Sequence, residues 1–131
     1  MTRTRTVVLA SIAGLASTAV FAGATPAIAS GQDVIKRGSC SANSHWKLKA
    51  GPDNGRIEVE GEVDSNISGQ TWHWRIKHNG HVSAHGTATT GGTSGSFTVR
   101  RLLVNASGPD HIGWRAVNRN SGETCRGGLT L

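Results

Sequence analysis

The sequence predicts an all-β protein that folds as a single antiparallel sandwich of two sheets with six or seven strands. No segment repeats apolar residues at the three- and four-residue spacing of an amphipathic helix. Apolar and polar residues alternate with a period of two through most of the chain, which is the pattern of half-buried strands. Turn-forming residues separate these stretches, so the strands are short and sequential neighbours form hairpins.

Two alternating stretches flank the turn GPDNG. The first, HWKLKA, directs Trp46 and the apolar residues in phase with it to the core, and RIEVEGEVD does the same with its Ile and Val residues. Their outer faces carry opposite charge, with Lys47 and Lys49 against Glu58 and Glu60. We interpret this acidic row as structural, because a calcium site needs loop oxygens that converge on one point.

Three more strands are predicted in the second half of the chain, as SFTVRRLLV, DHIGWRAVN and TCRGGLTL. In the first of them the apolar residues change phase between Val99 and Leu102. A β-bulge near Arg100 and Arg101 would bring both apolar groups to the same face.

The segment QTWHWRIKHNGHVSAHG, residues 70–86, holds four of the six histidines and two of the four tryptophans. A two-residue turn at Asn79-Gly80 would place Val82 on the face opposite to the tryptophans, so burial favours a three-residue loop, 78–80. The pairs predicted from this loop are Ile76 with Val82, Trp74 with Ala84 and Trp72 with Gly86 inside, and Lys77 with His81, Arg75 with Ser83 and His73 with His85 outside.

We interpret all four tryptophans as core residues, because each is in phase with Leu, Ile or Val. Glycines on neighbouring strands leave room for the rings, with Trp46 facing Gly61 and Trp114 facing Gly127. The alternative is a carbohydrate platform, in which exposed indoles stack on sugar rings.

His73 and His85 are the one pair that resembles metal ligands, because cross-strand partners have Cβ atoms about 5 Å apart. Two ligands do not make a zinc site, which needs three or four, and the nearby Arg75 and Lys77 disfavour a cation. The sequence therefore predicts no metal and no cofactor. The residues that would supply a third ligand, if a site existed, are His45, Asp64 and His111.

The N-terminal segment has the features of a secretory signal peptide. Arg3 and Arg5 precede an apolar run, and the small residues after it end in Ala-Ile-Ala. We expect cleavage after Ala29, with Ala24 as the alternative, and a secreted, extracellular protein without a membrane span. The predicted organisation is a signal peptide over 1–29, an N-terminal extension over 30–39 and a sandwich domain over 40–131.

The two cysteines, Cys40 and Cys125, lie in the exported part, where oxidising conditions favour a disulfide over two separate thiols. Without Arg3 and Arg5, 12 of the 14 Lys and Arg stand against 8 Asp and Glu, a net charge of +4. This mildly basic balance suits contact with anionic cell-wall polymers or phospholipid. Nucleic acid is not an expected partner, because the chain is exported and has no continuous basic stripe.

The run VDSNISGQTWHWRIKHNG, with SGSFTVRR and GPDHIGWRAVNRNSGETCRGG further along, resembles a family of small, uncharacterised secreted actinobacterial proteins. The resemblance extends from about Cys40 to Leu131, and it implies no catalytic residues. The layout is similar to that of immunoglobulin-like sandwiches. It departs from them because its cysteines lie in the first and last strands rather than in two mid-chain strands.

The sequence contains no Gly-x-Ser-x-Gly, no His-Glu-x-x-His and no phosphate-cradling glycine loop. We therefore expect a non-enzymatic extracellular module that binds an unknown ligand, with a cell-wall polymer or an extracellular protein as its partner. One alternative is a metal-binding protein or enzyme that uses His73 and His85. Another is a secreted protease inhibitor that presents TTGGTSG or NRNSGE as its binding loop.

Overall fold

The computed structural model describes residues 31–131, which form two antiparallel sheets of four strands each. The predicted all-β sandwich is confirmed, with eight strands rather than six or seven. The predicted signal peptide, 1–29, lies outside the described residues, and within them no helix has the length and apolar character needed to cross a bilayer. The strands are β1 (Val34–Ser39), β2 (His45–Asp53), β3 (Arg56–Asp64), β4 (Thr71–His78), β5 (His81–Thr89), β6 (Ser96–Val104), β7 (His111–Asn118) and β8 (Thr124–Thr130).

The additional strand is β1, which lies where the sequence predicts an N-terminal extension, 30–39. It pairs antiparallel with β2, from Val34 opposite Ala50 to Ser39 opposite His45. Its sequence, VIKRGS, has one half-buried apolar residue, so an alternation of period two gives almost no signal there.

Sheet A has the strand order β1-β2-β3-β6, and sheet B has the order β5-β4-β7-β8. The sheets pack face to face, so that β1 and β2 contact β8 on one side of the sandwich and β6 contacts β5 on the other. Alternate residues of the strands fill the space between the sheets. The buried residues that form this core are Leu48, Ala50, Ile57, Val59, Val63, Trp72, Trp74, Ile76, Phe97, Val99, Leu103, Ile112, Trp114, Ala116, Cys125 and Leu129.

Tryptophans of each sheet pack on glycines of the opposite sheet. Trp114 on β7 lies over Gly61 of β3, and Trp46 on β2 lies over Gly127 of β8. A Cβ atom at either glycine would overlap the indole. The two sheets are therefore interlocked by rings that fill spaces only a glycine leaves.

The interpretation of the tryptophans as core residues is confirmed, because Trp72, Trp74 and Trp114 are at most 5% exposed and Trp46 packs partly buried against them. Within the sheets, Trp114 stands opposite Gly127 as predicted. The predicted pairing of Trp46 with Gly61 is wrong, because Trp46 stands opposite Val63.

The β2–β3 hairpin turns through Asn54 and Gly55, both with positive φ. This turn places Lys47 opposite Glu62 and Lys49 opposite Glu60, so the charged pairs are displaced along β3 from those predicted.

The β4–β5 hairpin also has a two-residue turn, and the predicted three-residue loop is wrong. Asn79 and Gly80 have φ values of 48° and 83°, as a type I′ turn requires. The register shifts between Ile76, opposite Ala84, and Lys77, opposite Val82, which leaves Ser83 as an extra residue. This β-bulge returns the small residues of β5 to the inner face, and it leaves Val82 51% exposed.

The bulge predicted near Arg100 and Arg101 is wrong as well, because β6 pairs with β3 in one continuous register over its whole length. Leu102 and Val104 therefore point outward and are 49% and 75% exposed. Arg101 takes a position in phase with the core. Because β6 is an edge strand, this side chain reaches over the rim, and its guanidinium carbon lies 4.9 Å from the centroid of the Trp74 ring.

The predicted disulfide is present and joins Cys40 to Cys125 across the two sheets. Next to it, the Ser41 backbone N–H donates to Thr124 O at 2.8 Å, and Thr124 N–H donates to Ser41 Oγ at 2.9 Å. The bridge therefore belongs to a small network that connects the β1–β2 loop to β8.

Candidate functional site

The outer surface of sheet B, which we call the cationic face, presents four Lys and Arg side chains that have no carboxylate partner among residues 31–131. Its strands β4, β5, β7 and β8 contain four Lys or Arg residues and five His residues, with no Asp or Glu. Side chains alternate between the core and this surface, so Arg75, Lys77, Arg115 and Arg126 all lie on it. The first three are half-buried and Arg126 is exposed.

Three of these cations form a row across neighbouring strands, the arginine row. Arg75 on β4 stands directly opposite Arg115 on β7, and Arg115 stands directly opposite Arg126 on β8. Since neighbouring strands lie about 4.8 Å apart, the three side chains leave the sheet along a line of about 10 Å. Like charges directly opposite each other destabilise a sheet, so folding gives no reason for this arrangement.

The charges of the row are not balanced by the described part of the chain. Within residues 31–131, no carboxylate lies at ion-pair distance from Arg75, Lys77, Arg115 or Arg126. The Nε atom of Arg115 is buried and has no hydrogen-bond partner among these residues. A buried donor left without an acceptor costs about 1–3 kcal/mol.

Two shallow hollows on this face share Arg75 and Arg115 in their linings. The smaller, of about 220 Å³, lies toward β5. Gly113 lines the larger hollow, and a Cβ built there would make ordinary van der Waals contact with Lys77 Cβ at 3.5 Å. The larger hollow, of about 320 Å³, is lined by Arg75, Lys77, Gly113, Trp114, Arg115, Arg126 and Gly127.

At the centre of sheet A, by contrast, the cationic side chains form ion pairs with carboxylates. Lys47 Nζ lies 3.4 Å from Glu62 Oε2 and 3.7 Å from Glu60 Oε1. Arg100 donates from Nη2 to Glu60 Oε2 at 3.0 Å, and its Nε lies 3.6 Å from Glu58 Oε1. The hydrogen bond from Arg100, together with the charge of Lys47, lowers the pKa of Glu60 against the opposing effect of partial burial. These cations form ion pairs within the protein, whereas those of the arginine row have no carboxylate partner among residues 31–131.

His73 and His85 do not face each other, so the predicted cross-strand pair is wrong. His73 stands opposite Thr87, whose Oγ1 lies 3.3 Å from its Nδ1, and His85 stands opposite Arg75. Both histidines line the smaller hollow together with Arg75 and Arg115. Two guanidinium groups beside them repel a cation.

The residues suggested as third ligands lie elsewhere. His45 and Asp64 stand opposite each other on sheet A. His111 Nδ1 lies 2.8 Å from Thr130 Oγ1 at one end of β7 and β8. Among residues 31–131, no three His, Cys, Asp or Glu side chains are grouped so that they could hold a metal ion.

One polar pair was missed by the sequence analysis. His78 Nε2 lies 2.6 Å from Oδ1 of the buried Asp110, and the same oxygen accepts a hydrogen bond from the Ala106 backbone N–H at 3.3 Å. Asn79 Oδ1 accepts from the His111 backbone N–H at 2.8 Å. These contacts tie the β4–β5 turn to the loop that precedes β7, which is a structural role.

The arginine row was also missed, because it depends on the pairing of β4 with β7, two strands that are distant in sequence. A signal was present in the chain. The 45 residues between Asp64 and Asp110 contain no acidic residue, and the alternation of β4, β7 and β8 puts Arg75, Arg115 and Arg126 in outward phase.

Comparison of the chain with protein-family models, with curated proteins and with solved structures found no match. The function is therefore inferred from the geometry and charge of the described residues.

Proposed function

We propose that this protein is a secreted, non-enzymatic module that binds an anionic polymer of the cell wall through its cationic face. The observation that carries the proposal is the arginine row, whose adjacent charges have no carboxylate partner in residues 31–131. A fold keeps a destabilising charge arrangement when a ligand uses it.

The shape of the face suits a polymer better than a small substrate. Its two hollows are shallow and meet at Arg75 and Arg115, so an extended chain could cross both. Guanidinium groups bind carboxylate and phosphate through paired hydrogen bonds, and adjacent weak contacts along one polymer reinforce each other.

Two features support an extracellular location. The first 29 residues have the charge and apolar pattern of a signal peptide, and the Cys40–Cys125 disulfide suits an oxidising compartment. A cell-wall polymer is the abundant anionic partner that such a protein would meet, and the net charge of +4 favours its approach.

The test is co-sedimentation of residues 30–131, which include the whole sandwich, with purified cell walls before and after chemical removal of their anionic polymers. We expect binding to the intact walls and its loss from the stripped walls. In the triple variant Arg75→Gln, Arg115→Gln, Arg126→Gln, we expect affinity to fall about tenfold or more, because charged hydrogen bonds are removed.

The matched control is the variant Lys36→Gln, Arg37→Gln, Arg56→Gln, which removes the same charge from exposed positions of sheet A. We expect its affinity to stay within about twofold of the wild type, because long-range screening weakens scattered charges. An equal loss in both variants would mean that net charge alone governs binding. No binding by the wild-type protein would refute the proposal.

A further inference from the structure

We infer that the larger hollow of the cationic face is a binding site for a single phosphoryl group, with Arg115 at its centre. The inference rests on the proposed function and names the anionic group that the ligand carries. The hollow is bounded by four cationic side chains, Arg75, Lys77, Arg115 and Arg126.

The donors of the hollow belong to three adjacent strands. Arg75 and Arg126 flank Arg115 at equal strand spacing, and Lys77 stands opposite Gly113 beside them. Because Gly113 has no side chain, an anion of modest size can reach the half-buried Arg115. The Nε–H of Arg115 is itself buried and has no partner among the described residues, so the anion contacts the exposed part of this half-buried side chain and the Nε–H signal reports its binding.

The number and charge of these donors favour phosphate over carboxylate. A carboxylate carries one charge and two oxygens in one plane, which a single guanidinium satisfies. A phosphate monoester carries a charge of about −1.5 to −2 and three acceptor oxygens in three directions. Three guanidinium groups and an ammonium group around one hollow match the second kind of anion.

The site is tested by nuclear magnetic resonance of the arginine Nε–Hε groups in ¹⁵N-labelled protein, titrated with inorganic phosphate and, in parallel, with acetate. We expect phosphate to shift the Arg115 signal with a dissociation constant of about 1 mM or lower. We expect acetate to bind about tenfold more weakly, since it makes fewer charged contacts. Equal binding of the two anions would overturn the inference.

The decisive variant is Gly113→Val, which fills the hollow without changing any charge. Gly113 has an ordinary β conformation, and a Cβ there makes ordinary van der Waals contact with Lys77 Cβ at 3.5 Å, so valine is compatible with the strand. We expect phosphate affinity to fall about tenfold, because the valine side chain occupies the space through which the anion reaches Arg115. The control is Thr89→Val, at an exposed position of the same sheet that does not line the hollow.

If Gly113→Val fails to fold, as judged by circular dichroism, Lys77→Gln takes its place, with about the same expected loss. Unchanged phosphate affinity in the folded variant would refute the site.

A second arm separates this inference from the proposed function. Residues 30–131 are titrated with a dextran oligomer that carries phosphate monoesters and with polygalacturonate of similar length, and inorganic phosphate is used as competitor. Preference for the phosphate polymer, with displacement by phosphate, supports both proposals. Equal binding of the two polymers, without displacement by inorganic phosphate, would refute the phosphoryl-binding site but not the proposed function.

Failure to bind either polymer overturns the proposed function. If inorganic phosphate still shifts the Arg115 signal in that case, the hollow receives a small phosphate ester instead of a polymer. If it does not, the inference fails as well.

Discussion

The two long sides of the sandwich are held together in different ways. On the disulfide side, where β1 and β2 contact β8, the Cys40–Cys125 bridge crosses the sheets. Glu123 adds three hydrogen bonds there, because its carboxylate accepts from the backbone N–H groups of Ala42 and Ser44 at 3.1 and 2.8 Å and from Ser44 Oγ at 2.7 Å. Covalent and polar bonds therefore connect both sheets at this side.

On the open side, where β5 contacts β6, the inner residues of β5 are small: Ala84, Gly86 and Ala88. Little apolar surface joins the sheets there, and Arg101 covers the ring of Trp74. The apolar side chains Leu102 and Val104 of β6 face solvent. Apart from two backbone hydrogen bonds between Gly91 and Ser96 at the end of β5, this side is held by a few weak contacts.

The difference shows how the candidate site is kept in place. Arg115 and Arg126 lie on β7 and β8, the strands of sheet B nearest the disulfide side, and Arg75 lies on the central strand β4. The like charges of the row would push loosely held strands apart. Strong connections next to β8 counter this repulsion, so the three arginine side chains stay in a fixed arrangement.

Removal of the disulfide gives the largest expected effect. The double variant Cys40→Ala, Cys125→Ala opens a loop with a sequence separation of 85, which should lower the free energy of unfolding by about 4–5 kcal/mol. Urea unfolding followed by tryptophan fluorescence measures it. A loss below about 1 kcal/mol would mean that the polar contacts alone fasten this side.

Glu123→Ala should come next, with a loss of about 1–3 kcal/mol, because the donors on Ala42 and Ser44 no longer have an acceptor. Glu123→Gln is the matched control, since its amide oxygen keeps one acceptor, and we expect a smaller loss in urea unfolding. Equal losses in the two variants would show that charge matters here rather than hydrogen bonding.

Arg101→Ala tests the open side. We expect a loss of about 0.5–1 kcal/mol from the contact with the indole, together with a red shift of tryptophan emission as Trp74 meets water. Arg37→Ala, at an exposed position of β1, is the control and should change neither quantity. An emission spectrum unchanged in Arg101→Ala would contradict the covering role of this side chain.

The smallest effect concerns Glu60, whose bond to Arg100 ties the edge strand β6 to β3. The pKa of Glu60 is lowered in the folded protein, so its stabilising contribution is complete above the ordinary value of 4.5 and is lost as the pH falls through the lowered pKa. We expect Glu60→Gln to be less stable than the wild type by at most about 1 kcal/mol at pH 7. The difference should vanish in acid. A gap that persists at low pH would indicate a packing effect.

The fold could be predicted where burial alone decides it. The phase of Trp72 and Trp74, the inward row of β3 and the disulfide followed from alternation and from cysteine placement, and the structure confirms them. The predicted register at Asn79-Gly80 failed, because a tight turn with a bulge at Ser83 restores the same burial pattern as a longer loop. Alternation does not distinguish these two solutions.

The candidate site was less predictable. Arg75, Arg115 and Arg126 could be assigned to an outer face one by one, but their adjacency depends on which strands pair. At Arg101, the sequence analysis assumed that an inward-phase position must be apolar and inferred a bulge. An edge strand relaxes that requirement, because a long side chain can bend over the rim into water.

Trp46 packs on Gly127, and Trp114 packs on Gly61 in the opposite direction. These two contacts also make the sandwich resistant to shear between its sheets. Each indole packs against the backbone of the opposite sheet. Sliding of the sheets is therefore opposed by steep steric repulsion rather than by weak attraction. Because the two points of contact are separate, they resist rotation of one layer over the other as well. A tangential force on the cationic face would thus load both layers as one rigid body.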